Sequence, residues 1–387
     1  MNRLCINLKA LQHNLKRIER LISDRGASWT LVTKVLCGHR DLLNVIVKMG
    51  IKSIGDTRLS NFSSLDACTP SLERWYLRVP HHSVTDEVVR HTTVSLNSEI
   101  STIDRLNKTA VEQGKKHNII IMIELGDLRE GILPGSLISF YNHVFTFSNI
   151  EVLGIGANLG CLTGGIPSVD QLMQLVLYRE LLELKFKHRL PFISAGTSAT
   201  LSILGSQNIP GAINHFRIGE AAFLGTDLIK GKTLSGFRDD VFVLEAEIAE
   251  LQHKSMTPLG GAGDVAPFDT SDLRNNYTAG ERGHRALITV GQLDTDICGL
   301  TPLDGSCKLV GASSDIGVVH IDCNKRSYKV GDTLSFRMNY SALLRLMIDP
   351  YIPKMLTSDS ETFLERGVSG DLHRAIPQIC MIKSGRE

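Results

Sequence analysis

From about residue 30 to residue 225, short runs of apolar and often β-branched residues alternate with longer segments whose apolar positions recur three and four apart. Runs of the first kind suit strands buried on both faces, and segments of the second kind suit amphipathic helices laid over them. Candidate strands fall at 30–33, 52–54, 75–79, 92–96, 118–124, 151–155, 191–194 and 213–217, with helix-like segments such as 41–49, 98–113 and 169–184 between them. Regular alternation of this kind signals parallel β/α units, and eight of them predict an α/β fold with a TIM-type (β/α)8 barrel.

After Gly225 the texture changes. Segments 241–248, 285–290, 307–310, 317–322 and 333–338 read as strands separated by Gly, Asp and Pro turns, with one helix-like stretch at 341–346. They predict a C-terminal all-β domain. The expected organisation is a barrel over 1–235 that includes the N-terminal segment, a β-domain over 236–356 with a loop at 259–282, and a polar tail over 357–387.

The 387 residues are enough for such a barrel and a second core. With 42 basic and 41 acidic residues the net charge is +1, and no run of like charge recommends nucleic acid or a membrane as partner. A small-molecule substrate is the expectation. The N-terminus mixes charged residues into its apolar positions, unlike a secretory signal, and no apolar stretch reaches the ~18 residues of a membrane span. Eight cysteines are scattered without a C-x-x-C pair, which reads as reduced thiols in the cytoplasm with neither disulfides nor a zinc framework.

Barrel active sites are built at the C-terminal ends of the strands, and that is where this chain concentrates its chemistry. Lys34 ends the first strand segment in LVTKVLCGH, where poor solvation would lower its pKa and suit it to Schiff-base formation. Arg129 follows the fifth in GDLREG, Asn158 the sixth in GANLGC, and Ser194, Thr197 and Ser198 the seventh in ISAGTSAT. Arg217 closes the eighth in HFRIGEAAFLG, and Gly219 opens the segment after it with backbone N–H groups suited to a phosphate. A lysine that can form an imine beside a phosphate cradle suggests pyridoxal 5'-phosphate.

The motifs TKVLCGH, GDLREGI, GIGANLGC, FRIGEAAFLG, VGASSD and MNYSALL, in this order, resemble the fold-type III pyridoxal-phosphate enzymes of the alanine racemase-like superfamily. The chain is most similar there to the racemases of ornithine and related basic amino acids. The resemblance covers about residues 3–355. It implies that Lys34 carries the cofactor, that Arg217 meets the pyridine nitrogen, and that Arg129 lies near the phenolic oxygen. It further implies that Asn158 faces the ring and that Ser198 with the Gly219 backbone holds the phosphate. Tyr340 matches a tyrosine that reaches the site from the partner subunit, so a homodimer is implied as well.

Arginine is a poor proton donor to a pyridine nitrogen, and the resulting weak electron sink favours simple removal and return of a proton. Racemisation needs an acid/base group on each face of the substrate's Cα, and Lys34 can serve one of them. On the other face the chain departs from alanine racemases: Gln292 stands where they place a catalytic tyrosine, and an amide is no base. Cys37 likewise stands where many place a tyrosine that contacts phosphate. Asp294, Asp296, Cys298, Asp315 and Tyr340 are the candidates for the second group, with an acidic residue or Cys298 favoured. Asp294, Asp296 and Asp315 also suit the distal ammonium of a basic substrate, or else simply cap turns.

The expectation is therefore a racemase acting on ornithine or lysine. A decarboxylase, aldolase or dehydratase of the same fold, or a non-catalytic cofactor carrier, are the alternatives. Cys298, Cys307 and Cys323 with His284 and His320 lack a compact metal-ligand motif. His81 and His82 read as solvent-facing loop, and the glycine-rich stretches 164–165 and 260–263 as turns.

Overall fold

The computed structural model describes residues 1–63, 65, 71–204, 209–257, 280–322, 324 and 326–357. The chain divides into two compact units, one of His13–Phe237 and one of Met1–Gln12 with the chain from Arg238 onward.

Strand β1 (Arg3–Asn7) opens the chain and is followed by the helix Leu8–Ser23. The first unit is a closed barrel of β2 (Ser28–Val32), β3 (Ser53–Asp56), β4 (Glu73–Tyr76), β5 (Val94–Asn97), β6 (His117–Met122), β7 (Ile150–Gly156), β8 (Phe192–Thr197) and β9 (His215–Ile218). All neighbours are parallel, and β9 returns to β2 with Ser28 opposite His215 and Leu31 opposite Ile218. Each of the eight strands expected from the apolar runs is present, with ends displaced by a few residues. The outer helices Arg40–Lys48, Ile100–Glu112 and Val169–Phe186 bury the predicted apolar faces, for instance Leu42, Leu43 and Ile46 on the first of them. Ser168 and Gln171 close a reciprocal cap at the start of the last, and Lys187 at φ 53° ends it.

Inside the barrel, Trp75, Leu77, Val94, Leu96, Ile120 and Met122 form an apolar cluster. Beside it runs a buried polar seam in which Ser53 meets Thr30 at 2.7 Å, Thr30 meets His215 at 3.1 Å, and His215 meets Ser194 at 2.8 Å. After β9 come the short helix Glu220–Leu224 and a hairpin of β10 (Thr226–Asp227) and β11 (Lys232–Thr233).

The second unit contains β12 (Phe242–Ser255), β13 (Arg282–Ile288), β14 (Leu300–Pro302), β15 (Cys307–Ala312), β16 (Gly317–Ile321), β17 (Thr333–Met338), the helix Tyr340–Ile348 and β18 (Lys354–Thr357). Its sheet runs β14-β17-β12-β13-β16-β15, with antiparallel pairing throughout that path. The N-terminal segment departs from expectation. Rather than joining the barrel, β1 pairs antiparallel with β12, Arg3 opposite Glu245, and parallel with β18, Leu4 opposite Lys354. Its four buried residues Leu4–Asn7 need a sheet on either side, and only pairing with distant strands provides one. The loop expected at 259–282 also gives way earlier, because β13 already begins at Arg282; 258–279, with the glycine stretch 260–263, lie outside the described residues, as do Cys323 and the tail 358–387. His81 and His82 are exposed, as expected, although His82 opens a short 3-10 helix.

Candidate active site

Lys34 does not close β2, as the apolar run suggested. It opens a 3-10 turn, Lys34–Leu36, two residues beyond the strand, and is exposed rather than buried. Its position is set by the residue before it. Thr33 donates its hydroxyl to the buried carboxylate of Asp56 at the end of β3, at 3.0 Å. Asp56 also accepts from the amides of Thr57 (2.7 Å) and Arg58 (3.0 Å) and from Nδ2 of Asn61 (3.0 Å). Burial nevertheless outweighs these donors and pushes the Asp56 carboxyl up. Behind the turn the chain reverses through Cys37 at φ 51° and Gly38 at φ 74°, where a Cβ would stand 2.9 Å from Oδ1 of Asn61. Glu220 lies near enough for the Lys34 charge to pull its carboxyl down, against the larger upward push of burial. Lys34 therefore stands beside the turn that follows β9.

Arg217 on β9 is 7% exposed. Nη1 donates to the carbonyl and hydroxyl of Ser194, and Nη2 to the Ala157 carbonyl at 2.8 Å and Oδ1 of Asn158 at 3.0 Å. All four terminal hydrogens thus meet neutral acceptors, and among the described residues Nε–H is the one donor left for a ligand. Burial lowers the Arg217 pKa to about 10, so it remains a cation at neutral pH. Ser194, a candidate from the end of the seventh strand segment, lies fully buried beneath Arg217, its hydroxyl shared with Nδ1 of His215. It supports the arginine instead.

The turns after β8 and β9 face each other. Ser198 Oγ accepts from the amides of Gly219 at 3.3 Å and Ala221 at 3.4 Å, leaving its own proton to donate. A Cβ on Gly219 would sit 3.1 Å from the Val32 carbonyl, so glycine lets this turn close upon the end of β2. Thr197 differs from expectation, because its hydroxyl is taken up in a reciprocal cap with Thr200 at the start of the helix Ser198–Ile203.

Arg129 lies in the loop after β6 with its amide on the Glu124 carboxylate. Its guanidinium meets Glu130, Nη2 to Oε2 at 3.1 Å, and comes within 4.0 Å of Oδ2 of Asp127. Asp127 is buried, and its other oxygen ties down the amides of Cys161 and Leu162 at 2.9 and 3.1 Å. Glu130, Asp56 and His215 are not among the candidates that the sequence offers. Glu130 carries a legible signal all the same, a carboxylate beside a candidate arginine after a barrel strand.

The remaining candidates belong to the second unit, where backbone bonds gather them at one end of the sheet. Gln292 and Leu293 donate to the carbonyls of Ser313 and Ser314 at 3.1 and 2.8 Å, beside exposed Asp315. Thr295 reaches the Ala342 carbonyl at 3.0 Å, and Asn339, which precedes Tyr340, donates to Gly299 at 2.8 Å. Asp294 caps its own turn through the Gly291 amide at 2.8 Å. Burial, with help from the like charges of Asp349 and Asp315, pushes its carboxyl up despite that bond. Asp296 precedes a 3-10 helix, Ile297–Gly299, that contains exposed Cys298. Among the described residues no group of three His, Cys, Asp or Glu is placed to hold a metal.

Comparison with known proteins bears on this site directly. The family described as "Alanine racemase, N-terminal domain" matches residues 6–227, which contain the whole barrel. The chain belongs to the alanine racemase family. It is 34% identical over 355 residues to the ornithine racemase of Acetoanaerobium sticklandii, covering 92% of this chain and 99% of that one. It is 31% identical over 353 residues to the lysine racemase of Thermotoga maritima, covering 91% and 98%. Among solved structures, alanine racemase from Bartonella henselae with covalently bound pyridoxal phosphate shares the fold, with TM-score 0.71 at 14% identity over 92% of this chain and 99% of that one. Members of the alanine racemase family use pyridoxal 5'-phosphate, and the residues here fit it. Lys34, with its exposed amine, would carry it; Arg217 would offer a single oriented donor to a ring nitrogen, and Ser198 beside the Gly219 turn would offer its hydroxyl proton to a phosphate.

Proposed function

We propose that this pyridoxal-phosphate-dependent amino-acid racemase acts on ornithine or lysine. The observation that carries the substrate class is the identity, over nearly the whole of both chains, to an ornithine racemase and a lysine racemase.

When bound, the cofactor supplies an electron-withdrawing group that acidifies the substrate's Cα–H. Lys34 would anchor it and would hold or return the Cα proton on one face. Arg217, fixed through both terminal nitrogens, would present Nε–H to the ring nitrogen without surrendering a proton to it. Ser198 and the Gly219 turn would bind its phosphate, while Asn158 would hold the ring and Arg129 the phenolic oxygen. The opposite face requires a second acid/base group, and Asp294, Cys298 and Tyr340 are its candidates, because Gln292 cannot ionise. Burial and the like charges of Asp349 and Asp315 push the Asp294 carboxyl up, which favours it as a proton-exchanging group. Asp294, Asp296 and Asp315 also provide anions for the distal ammonium of a basic side chain.

The functional unit in this reading is a homodimer in which Tyr340 of the partner subunit completes the mouth of the barrel. The cytoplasm is its compartment. In support, Cys5, Cys37, Cys161, Cys298 and Cys307 form no disulfide among the described residues, and no helix among them is long and apolar enough to cross a membrane.

The test is incubation of the cofactor-loaded protein with single enantiomers of ornithine, lysine, arginine, alanine and serine in heavy water, followed by chiral chromatography and mass spectrometry. Inversion with deuterium at Cα, fastest for ornithine or lysine, is the expected result. Mass loss would indicate decarboxylation, and preference for alanine or serine would overturn the basic-substrate reading.

A further inference from the structure

Arg217 and Arg129 place two cations in one site, one of them buried, and their charges oppose each other. The carboxylate between them is Glu130. Its Oε1 accepts from Nδ2 of Asn158 at 2.7 Å and from Nη2 of Arg129 at 3.2 Å, while the other end of the same amide, Asn158 Oδ1, accepts from Nη2 of Arg217 at 3.0 Å. Only one orientation of the Asn158 amide satisfies both neighbours. Turned over, it would set its NH2 against the guanidinium donors and its oxygen against a carboxylate.

We propose that Glu130 is a positioning residue: it locks the Asn158 amide so that its oxygen faces Arg217, aims the arginine's remaining Nε–H, and holds Arg129 beside it. Glu130 touches neither Arg217 nor a reacting atom in this arrangement. It works through Asn158 by a charge-assisted bond, and its negative charge offsets the pair of guanidinium groups. The inference rests on the cofactor site described above and not on which amino acid is racemised.

The experiment compares holoenzymes of the wild type, Glu130→Gln, Asn158→Ala and the double variant. It records the dissociation constant for pyridoxal phosphate and the visible absorption of the bound cofactor, without substrate. Glu130→Gln keeps the size and removes the charge, so cofactor affinity should fall about tenfold and the absorption band should move. The double variant should lose less than the sum of the two single losses, because both changes break the Asn158 relay and only the direct bond of Glu130 to Arg129 is lost separately. Unchanged affinity and spectrum in Glu130→Gln, or fully additive losses in the double variant, would overturn the proposal. Thermal unfolding of the apoproteins checks folding. Should the glutamine variant not fold, Glu130→Asp, too short to reach both partners, carries the same expectation and the same refutation. Because no substrate is present, a wrong substrate assignment leaves the outcome standing.

Discussion

The imidazole of His215 lies flat against the indole of Trp75, with ring centroids 4.2 Å apart and planes 10° from parallel. That contact leaves both ring nitrogens in the plane of the polar seam, Nδ1 on Ser194 and Nε2 on Thr30. Since Ser194 in turn accepts from Arg217, the histidine forms the floor on which the buried arginine rests.

Stability should fall in mild acid. Burial, reinforced by the Arg217 charge, lowers the His215 pKa from an ordinary 6.5 to about 3, and burial lowers that of His117 to about 4. Both stay neutral in the fold but bind protons once unfolded. Their contribution is therefore complete above pH 6.5 and is lost progressively as the pH falls from there towards the folded values. Each adds a slope of up to about 1.4 kcal/mol per pH unit across that window. Chemical denaturation between pH 4 and 8 should show the slope, and His215→Gln should flatten it at a general cost in stability.

Lys34→Ala should lose the covalent cofactor linkage and at least about a thousandfold in turnover, because one residue supplies both the anchor and one acid/base group. Borohydride reduction followed by peptide mass spectrometry should find the cofactor on Lys34 in the wild type. A cofactor found on another lysine would contradict the assignment.

Asp56→Ala should destabilise the barrel by about 3 kcal/mol, since it strands the Asn61 amide and two backbone N–H groups and leaves the Thr33 hydroxyl only its longer bond to the Gly55 carbonyl. Urea unfolding measures the loss. Turnover of the folded fraction should also drop, because Thr33 fixes where the Lys34 turn begins.

A trans-completed site predicts complementation. Lys34→Ala and Tyr340→Ala should each be inactive alone, and mixing them under subunit exchange should restore activity through heterodimers that contain one intact site. Recovery of no activity, with exchange verified by mass spectrometry, would place Tyr340 outside the partner's site.

Much of this architecture is legible in the order of the residues. The eight parallel strands stand out because strands buried on both faces read as uninterrupted apolar runs such as Ile119–Met122, and helices such as Val169–Phe186 because their caps and apolar spacing are local. The tendency of barrel sites to gather at strand ends then locates Lys34, Arg129, Asn158 and Arg217. It misleads where a side chain's partner is remote. Ser194 sits one strand from Arg217 and points inward with His215, and Thr197 is claimed by its own helix; polarity after a strand distinguishes neither case.

Sequence alone thus determined the barrel, the β-rich second half and the lysine and arginine proposed to hold the cofactor, since periodicity and residue type depend on near neighbours and intrinsic reactivity. Tertiary structure decided the rest. Residues 242 places apart determine that β1 joins Arg3 to Glu245, a pairing no local pattern encodes. Likewise Glu130 acquires its role only when Asn158, from the next strand's loop, sets its amide between that carboxylate and Arg217. Hydrogen bonds of this kind act over about 3 Å in space, whatever the separation along the chain.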